Sequence, residues 1–469
     1  MLVAPFSPAL FATYKRLHAF LSQCQQQASR QQQTKLVNVS FGLAAIAPDG
    51  QLTPWAILDG LSAARQMHFC HSHGEPWRVG LGTVLLAHAS GIARFSRMQQ
   101  FIDVWRKRTV CYDATLPGGQ PHFFSGFTFF DTAENFDPAQ VFVPQLQVTQ
   151  QNGQVTVSLN CLIDDAVNVT SVVEDFNVQL RHLRDVANAS QEANPRRPTQ
   201  RVDRDLGDFR QAVRSALKAI DQQPLQKVVL ADAVDVLASA PFQLAASLRS
   251  LAQQYPDCHV FSFNNGSGQT FVGASPERLL SIEKGRLVTD ALAGSAPRGQ
   301  TSNEDRQLGQ QLLANPKEKE EHQIVVDFIV QQLRSLGLCP NYRPQPTLKQ
   351  LANIQHLHTP IEATVPDPLD ALTILEQLHP TPAVAGLPRT AACDLIHQLE
   401  SFDRDLYAAP LGWVDAAGDS TFIVGIRSAL LSGRNARLYA GAGIVSASDP
   451  DKELAEIRLK LQAMLSSLV

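Results

Sequence analysis

Two pairs of glutamates, each pair spaced three residues apart, are the side chains of this sequence best placed to do chemistry. Glu318 and Glu321 open the segment NPKEKEEHQIVVDFIVQQLR (315–334), in which Ile324, Val325, Phe328 and Ile329 recur at helical spacing. At about 100° per residue both carboxylates fall on the apolar stripe rather than opposite it. A solvated first turn explains one such residue, because acids suit the positive end of a helix. Two on the core stripe admit another explanation, a cation or substrate held at the helix start, since buried carboxylates are rarely left without a partner or a metal. The last segment, DPDKELAEIRLKLQAMLSSLV (449–469), repeats the pattern: Leu454, Ile457, Leu461, Leu465 and Leu468 form its apolar stripe, and Glu453, Glu456 and Lys460 share the stripe beside it. Pairing of Glu456 with Lys460 at i, i+4 accounts for two of these at about 0.3 kcal/mol. Taken together, the two Glu-x-x-Glu pairs could instead offer opposed oxygen ligands to one Mg²⁺, a hard cation that takes one or two carboxylates, waters and an anionic substrate.

Four further sites carry a choice of readings. Lys227 lies within LQKVVLADAV (225–234), apolar enough to be a buried strand. It is either a desolvated amine able to act as a general base or an edge-strand lysine that discourages aggregation. In GASPERL (273–279), Ser275 can cap a short helix begun by Pro276, leaving Glu277 to complement the helix dipole or to donate a proton at a turn. The glycines of ALAGSAPRG (291–299) and YAGAGIV (439–445) match neither a P-loop nor a dinucleotide fingerprint, but would let backbone N–H groups approach an anion. Arg427, in the apolar run VGIRSAL (424–430), calls for a carboxylate partner from the protein or from a ligand. His356 and His358 lack a third metal ligand and read as structural.

The elements that must position these residues mix long strands with helices in no regular alternation, which predicts an α+β fold with mostly antiparallel sheets. Strand-like runs occur at KLVNVSFGLAAIA, WRVGLGTVLLAHASG and HFFSGFTFFD, and a hairpin is predicted around Asn152-Gly153 and another turn at Lys284-Gly285. A helix is expected from Val172 to Val186. The polar stretch NASQEANPRRPTQRVDR (188–204) is the linker candidate, dividing an N-terminal portion, 1–204, from a catalytic portion, 205–469, the two packing as one unit.

With 44% hydrophobic and 18% charged residues among 469, the chain can bury a large core. A formal charge of −4 and the lack of a basic run argue against nucleic acid or an anionic membrane as partner. No apolar stretch of about 18 residues is present, the N-terminus lacks a secretory pattern, and the seven dispersed cysteines suit a reducing compartment, so a cytoplasmic location is expected.

The blocks KVVLA (227–231), FVGASPERL (271–279), LAGSAPRG (292–299), EEHQIVVD (320–327), LHPTPAVAGLPR (378–389), ESFDRDLYAAPLGWVD (400–415), GIRSALL (425–431) and YAGAGIVSASDPDKELAEIRLK (439–460), in that order, resemble the chorismate-utilising enzymes, the family of anthranilate synthase component I. The likeness runs from about Asp208 to the C-terminus and is strongest to the isochorismate-forming members. It implies large antiparallel sheets flanked by helices, chorismate as substrate and Mg²⁺ as cofactor. Glu321 and Glu456 would be the direct ligands of the metal, with Glu318 and Glu453 contacting its water. Arg427, Lys460 and the backbone around Gly441 and Gly443 would bind substrate carboxylates, and Gly294, Ser295, Ala383 and Tyr439 would line the pocket. Lys227 would activate water for attack on ring C2, and Glu277 would protonate the hydroxyl leaving C4. Relatives that add ammonia generally lack the lysine at position 227, so water and no glutaminase subunit are implied, and a monomer is expected. Relatives that go on to release pyruvate tend to carry threonine where Ala383 stands, which favours isochorismate over salicylate as product. The menaquinone branch is favoured over the siderophore branch, and the Lys227–Glu277 pair argues against a non-catalytic chorismate-binding protein. Asp232 departs from the arginine found in many relatives.

Overall fold

Asn152 and Gly153 both have positive φ, 54° and 73°, and join two strands in register from Gln151 opposite Gln154. Lys284 and Gly285 do the same, at 49° and 77°, between Glu283 and Arg286. Both are two-residue turns whose backbone twist matches that of the strands they connect, and a glycine at the second position removes the steric cost of the left-handed conformation. The computed structural model describes residues 8–61, 67–112, 115–189, 201–222, 224–352 and 354–468.

Such hairpins build two large sheets. The thirteen-stranded sheet runs, from one edge, Arg201–Asp205, Lys227–Ala238, Asn435–Ile444, Ser428–Ser432, Thr270–Ser275, His259–Asn264, His68–Ser72, Trp77–Leu81, Leu146–Gln151, Gln154–Ile163, Lys35–Gly42 and Thr109–Tyr112, with Gly386–Leu387 also paired to Lys227–Ala238. The ten-stranded sheet runs Asn341–Tyr342, Ile354–Thr364, Arg286–Pro297, Arg278–Glu283, Ser420–Val424, Pro410–Asp415, His122–Phe127, Ala139–Val143 and Leu85–Ala89, with Thr347–Gln350 beside Ile354–Thr364. Among the described residues only Lys35–Gly42 and Thr109–Tyr112 pair in parallel. The expected α+β class with mostly antiparallel sheets is what the chain forms.

The core lies between the sheets. Phe69 of the first stacks on Phe124 of the second at 4.6 Å, and Phe142 meets Phe263 edge-on at 6.1 Å. Each such ring contributes roughly 1.5–3 kcal/mol by burial. Strands from either side of residue 205 share both sheets: Val260 lies opposite Ser72, and Gly412 opposite Ser125.

The helix expected from Val172 to Val186 runs Val169–Asn188, capped by Asn168, whose side chain accepts from Ser171 N. The helix of the first glutamate pair is Pro316–Ser335, with proline in its first turn and the Asn315 side chain accepting from Lys317 N and Glu318 N. That of the second pair is Pro450–Leu468. Most of the linker candidate, 190–200, lies outside the described residues; its last residues lie in a strand, Arg201–Asp205, whose residues pair in register with Val234 to Ala238. One expectation fails. No helix follows Ser275: its hydroxyl accepts from Glu277 N at 3.2 Å, and the chain turns straight into Arg278–Glu283 of the other sheet. Sheet pairing on both sides outcompetes a cap that would have bonded a single turn.

Candidate active site

A cavity of about 170 Å³ opens where the two sheets come together, a size at which one six-membered ring fits. The first sheet contributes Lys227 and Val229 from one strand and Tyr439, Gly441 and Gly443 from its neighbour. From the second come Gly294, Ser295 and His356, from the helices Glu321, Glu456 and Lys460, and from loops Ala383, Tyr407 and Arg427. Glu277, at the crossing from one sheet to the other, completes the wall. Of the residues singled out from the sequence, Glu318 and Glu453 stand back from this wall. Glu318 Oε2 accepts from Ser295 N at 3.1 Å, which places it just behind the lining.

Lys227 is only 3% exposed, and its Nζ donates to Glu321 Oε1 at 2.6 Å. The inward position of the first glutamate pair is thereby explained in part: one acid reaches the buried lysine and the other a backbone amide. Lys460 meets Glu456 at 2.7 Å, the intrahelical pair, but also donates to Gly441 O at 2.8 Å across to the strand. An ammonium has three donors, so this arrangement leaves one uncommitted.

Burial and neighbouring acids raise the proton affinity of Glu318 and Glu453. Glu318 is pushed up first by burial, and further by Glu321 and Glu456, although the Ser295 amide opposes this. Glu453 is pushed up by burial and by Glu456, against a hydrogen bond from Ser448. Carboxylates from two helices thus share one field, although no three His, Cys, Asp or Glu side chains among the described residues are gathered into a ready ligand cage. Glu277 is buried, and its carboxyl rises from the ordinary 4.5 to about 8, chiefly through desolvation; Lys349 and Lys227 lower it and Asp290 raises it. It therefore keeps its proton at neutral pH.

Arg427 is not inside a strand, as the sequence pattern implied, but in the link between Ser420–Val424 and Ser428–Ser432, with φ of 50°. Such a conformation costs a non-glycine residue about 1 kcal/mol or more and is typical of functional sites. Its guanidinium has the Cys258 sulfur at 3.9 Å and no carboxylate in ion-pair range among the described residues.

The glycines make room for the side chains in and behind the wall. A methyl group on Gly443 would stand 3.0 Å from Lys227 Cε, and one on Gly441 would stand 2.7 Å from the Tyr407 hydroxyl. Gly294 has φ of 75°, and a methyl there would meet Glu318 Oε2 at 3.1 Å.

Sequence reasoning missed two polar wall residues. His356 was read as structural, yet it lines the cavity, its Nδ1 on Ser295 Oγ at 2.9 Å and its Nε2 buried without a partner. The i, i+2 spacing with His358 did place both on one strand face; His358 is the structural one, paired with Asp290 at 2.9 Å. Tyr407, stacked on Tyr439 at 5.2 Å, had no local signal. Asp232 alternates away from Lys227 and lines a separate hollow with Arg458.

The model of the chorismate binding enzyme family matches residues 20–469. The chain belongs to that family. Among its relatives, the salicylate biosynthesis isochorismate synthase of Pseudomonas aeruginosa is 35% identical over 401 residues, 82% of each chain. Isochorismate synthase MenF of Bacillus subtilis is 33% identical over 354 residues, 74% of each chain. In three dimensions this family member resembles MenF, the menaquinone-specific isochorismate synthase of Escherichia coli, with a TM-score of 0.77 and 25% identity over 98% of this chain and 100% of the other. Anthranilate synthase component I of Streptococcus pneumoniae shares the fold, with a TM-score of 0.63 at 21% identity over 75% of this chain and 82% of the other. No helix among the described residues is long and apolar enough to cross a membrane.

Proposed function

We propose that this protein is an isochorismate synthase, which adds water at C2 of chorismate while the C4 hydroxyl departs. The observation that carries this reading is a buried carboxylic acid, Glu277, and a buried amine, Lys227, on the wall of one cavity of single-ring size. Hydroxide leaves poorly unless protonated as the bond breaks, and water attacks poorly unless a base takes its proton. Glu277 holds a proton at neutral pH and can give it to the departing oxygen. Lys227 takes the proton of the attacking water, with Glu321 fixing its position. Arg427 and the uncommitted donor of Lys460 bind substrate carboxylates.

Mg²⁺ fits the carboxylates at the helix starts: Glu321, Glu456, Glu318 and Glu453 are hard oxygen donors, and burial, with the neighbouring acids adding to it, raises the proton affinity of Glu318 and Glu453. Glu321 and Glu456 would hold the ion and Glu318 and Glu453 its water; bound, it supplies positive charge against these acids and a dianionic substrate. With water as nucleophile no ammonia-delivering subunit is needed, and a monomer suffices. The match to MenF along nearly the whole chain supports a role in menaquinone biosynthesis.

Incubation of the purified protein with chorismate and Mg²⁺ in ¹⁸O-water tests the reading. Isochorismate labelled at C2 is expected. Stoichiometric pyruvate would identify a salicylate synthase, and unchanged chorismate would remove the catalytic reading.

A further inference from the structure

The strand that carries Lys227 has an interrupted neighbour. Along one edge it is paired continuously, from Val228 opposite Ile444 to Leu237 opposite Asn435. Along the other edge it is paired by Gly386–Leu387 at the Lys227 end and by Arg201–Asp205 from Val234 onward, with no strand between them among the described residues. Buried backbone groups left in such a gap would be costly. Backbone bonds reach in from either end, Val229 N donating to Ala385 O at 2.8 Å and Leu206 N to Ala233 O at 3.2 Å, and Asp232 Oδ1 accepts from Ala233 N at 2.9 Å; two further side chains serve the middle. Arg404 Nη2 donates to Val229 O at 2.7 Å, and Glu400 Oε1 accepts from Ala231 N at 2.7 Å.

The two form a buried fork. Arg404, 1% exposed, donates from Nε to Glu400 Oε2 at 2.8 Å and from Nη2 to Oε1 at 2.5 Å. Its remaining terminal nitrogen, Nη1, donates to Val384 O at 3.0 Å, and the guanidinium lies over the Phe129 ring at 4.4 Å. Val229 and Val384 both line the cavity, and each is next but one, or next, to a residue already singled out, Lys227 and Ala383. Buried ion pairs are often no more stabilising than apolar packing of the same volume, so stability alone is a weak account of this one.

We propose that Arg404 and Glu400 are positioning residues: as a side-chain rung in the incomplete ladder, they set where the Lys227 amine and the Ala383–Val384 wall stand in the cavity. The inference rests on Lys227 being the base. A planar guanidinium is required because one group must reach two carbonyls and both carboxylate oxygens, which a point-like ammonium does not.

The test is steady-state conversion of chorismate by Arg404→Lys, with pH profiles and thermal unfolding, beside Lys227→Ala. Arg404→Lys should lower kcat about 10- to 100-fold at nearly unchanged KM, the cost of a displacement on the order of 1 Å, and should move the acidic limb of the kcat profile. A purely structural role would lower the unfolding temperature but leave kcat per folded molecule and the pH profile as in the parent, and that result overturns the inference. Should Arg404→Lys fail to fold, Glu400→Gln carries the test with the same readouts; failure of both to fold overturns it too, since the pair would then hold the fold rather than the amine. Near-parent turnover by Lys227→Ala removes the base and this inference with it. Inactive Lys227→Ala beside fully active Arg404→Lys removes the positioning role alone.

Discussion

Replacing Glu277 by glutamine should produce a protein that is inactive and, at alkaline pH, more stable. The Glu277 carboxyl titrates near 8 in the folded chain against an ordinary 4.5, because burial disfavours its charged form. Folding therefore takes up a proton between these values. The group's contribution to stability is fully present below about pH 4.5 and is lost as pH rises through about 8. At about 1.4 kcal/mol per pKa unit the full loss approaches 5 kcal/mol. Glutamine has the same shape and no such titration. Its buried amide adds a fixed cost independent of pH, so the slope of the difference carries the test and the offset does not. Urea unfolding at about pH 5 and about pH 8 should show the stability difference between Glu277→Gln and the parent shifting by roughly 3–4 kcal/mol in favour of the variant. A difference that stays flat across that interval would refute the reasoning. In the parent, about nine molecules in ten carry the Glu277 proton at pH 7, so kcat/KM should fall above pH 8, and a rate that rises there would refute the acid role. Loss of turnover in Glu277→Gln should be on the order of 10² to 10⁴, the usual worth of a positioned acid.

Lys227→Ala should abolish turnover while calorimetry still detects chorismate binding, because Arg427 and Lys460 remain; near-normal rates would remove Lys227 as base. Gly443→Ala places a methyl 3.0 Å from Lys227 Cε and should lower kcat roughly tenfold or more with little change in unfolding temperature; an unaltered kcat would show that Lys227 has room to spare. Chelation by EDTA should eliminate activity, with recovery on adding Mg²⁺, and Glu321→Ala should not recover at the same Mg²⁺ concentration. Full activity in EDTA would dismiss the metal assignment.

Much of the architecture was legible because local periodicity reports local structure. Asn152-Gly153 and Lys284-Gly285 announced their turns through the φ values they tolerate. The helical spacing of Leu454, Ile457, Leu461, Leu465 and Leu468 matched the buried face of the last helix. The same periodicity drew attention to Glu318, Glu321, Glu453 and Glu456. It did not show that Glu321 meets Lys227 while Glu318 meets the Ser295 amide. Ser275-Pro276-Glu277 misled, since its cap signature is real at short range and is overridden by strand pairing on both sides.

By itself the sequence determined the two hairpin turns, the apolar face of the last helix and the stripe on which Glu318 and Glu321 fall, because alternation and helical spacing act between residues a few positions apart; it left Lys227 open between a buried base and an edge-strand lysine. Only the tertiary structure decided that Glu277 is buried at the crossing of two sheets, that His356 and Tyr407 belong to the cavity, and that Arg404 and Glu400 bond a strand 175 and 169 residues away in sequence. Desolvation and hydrogen bonding depend on which distant segments close over a group, and no pattern of neighbours along the chain encodes that closure.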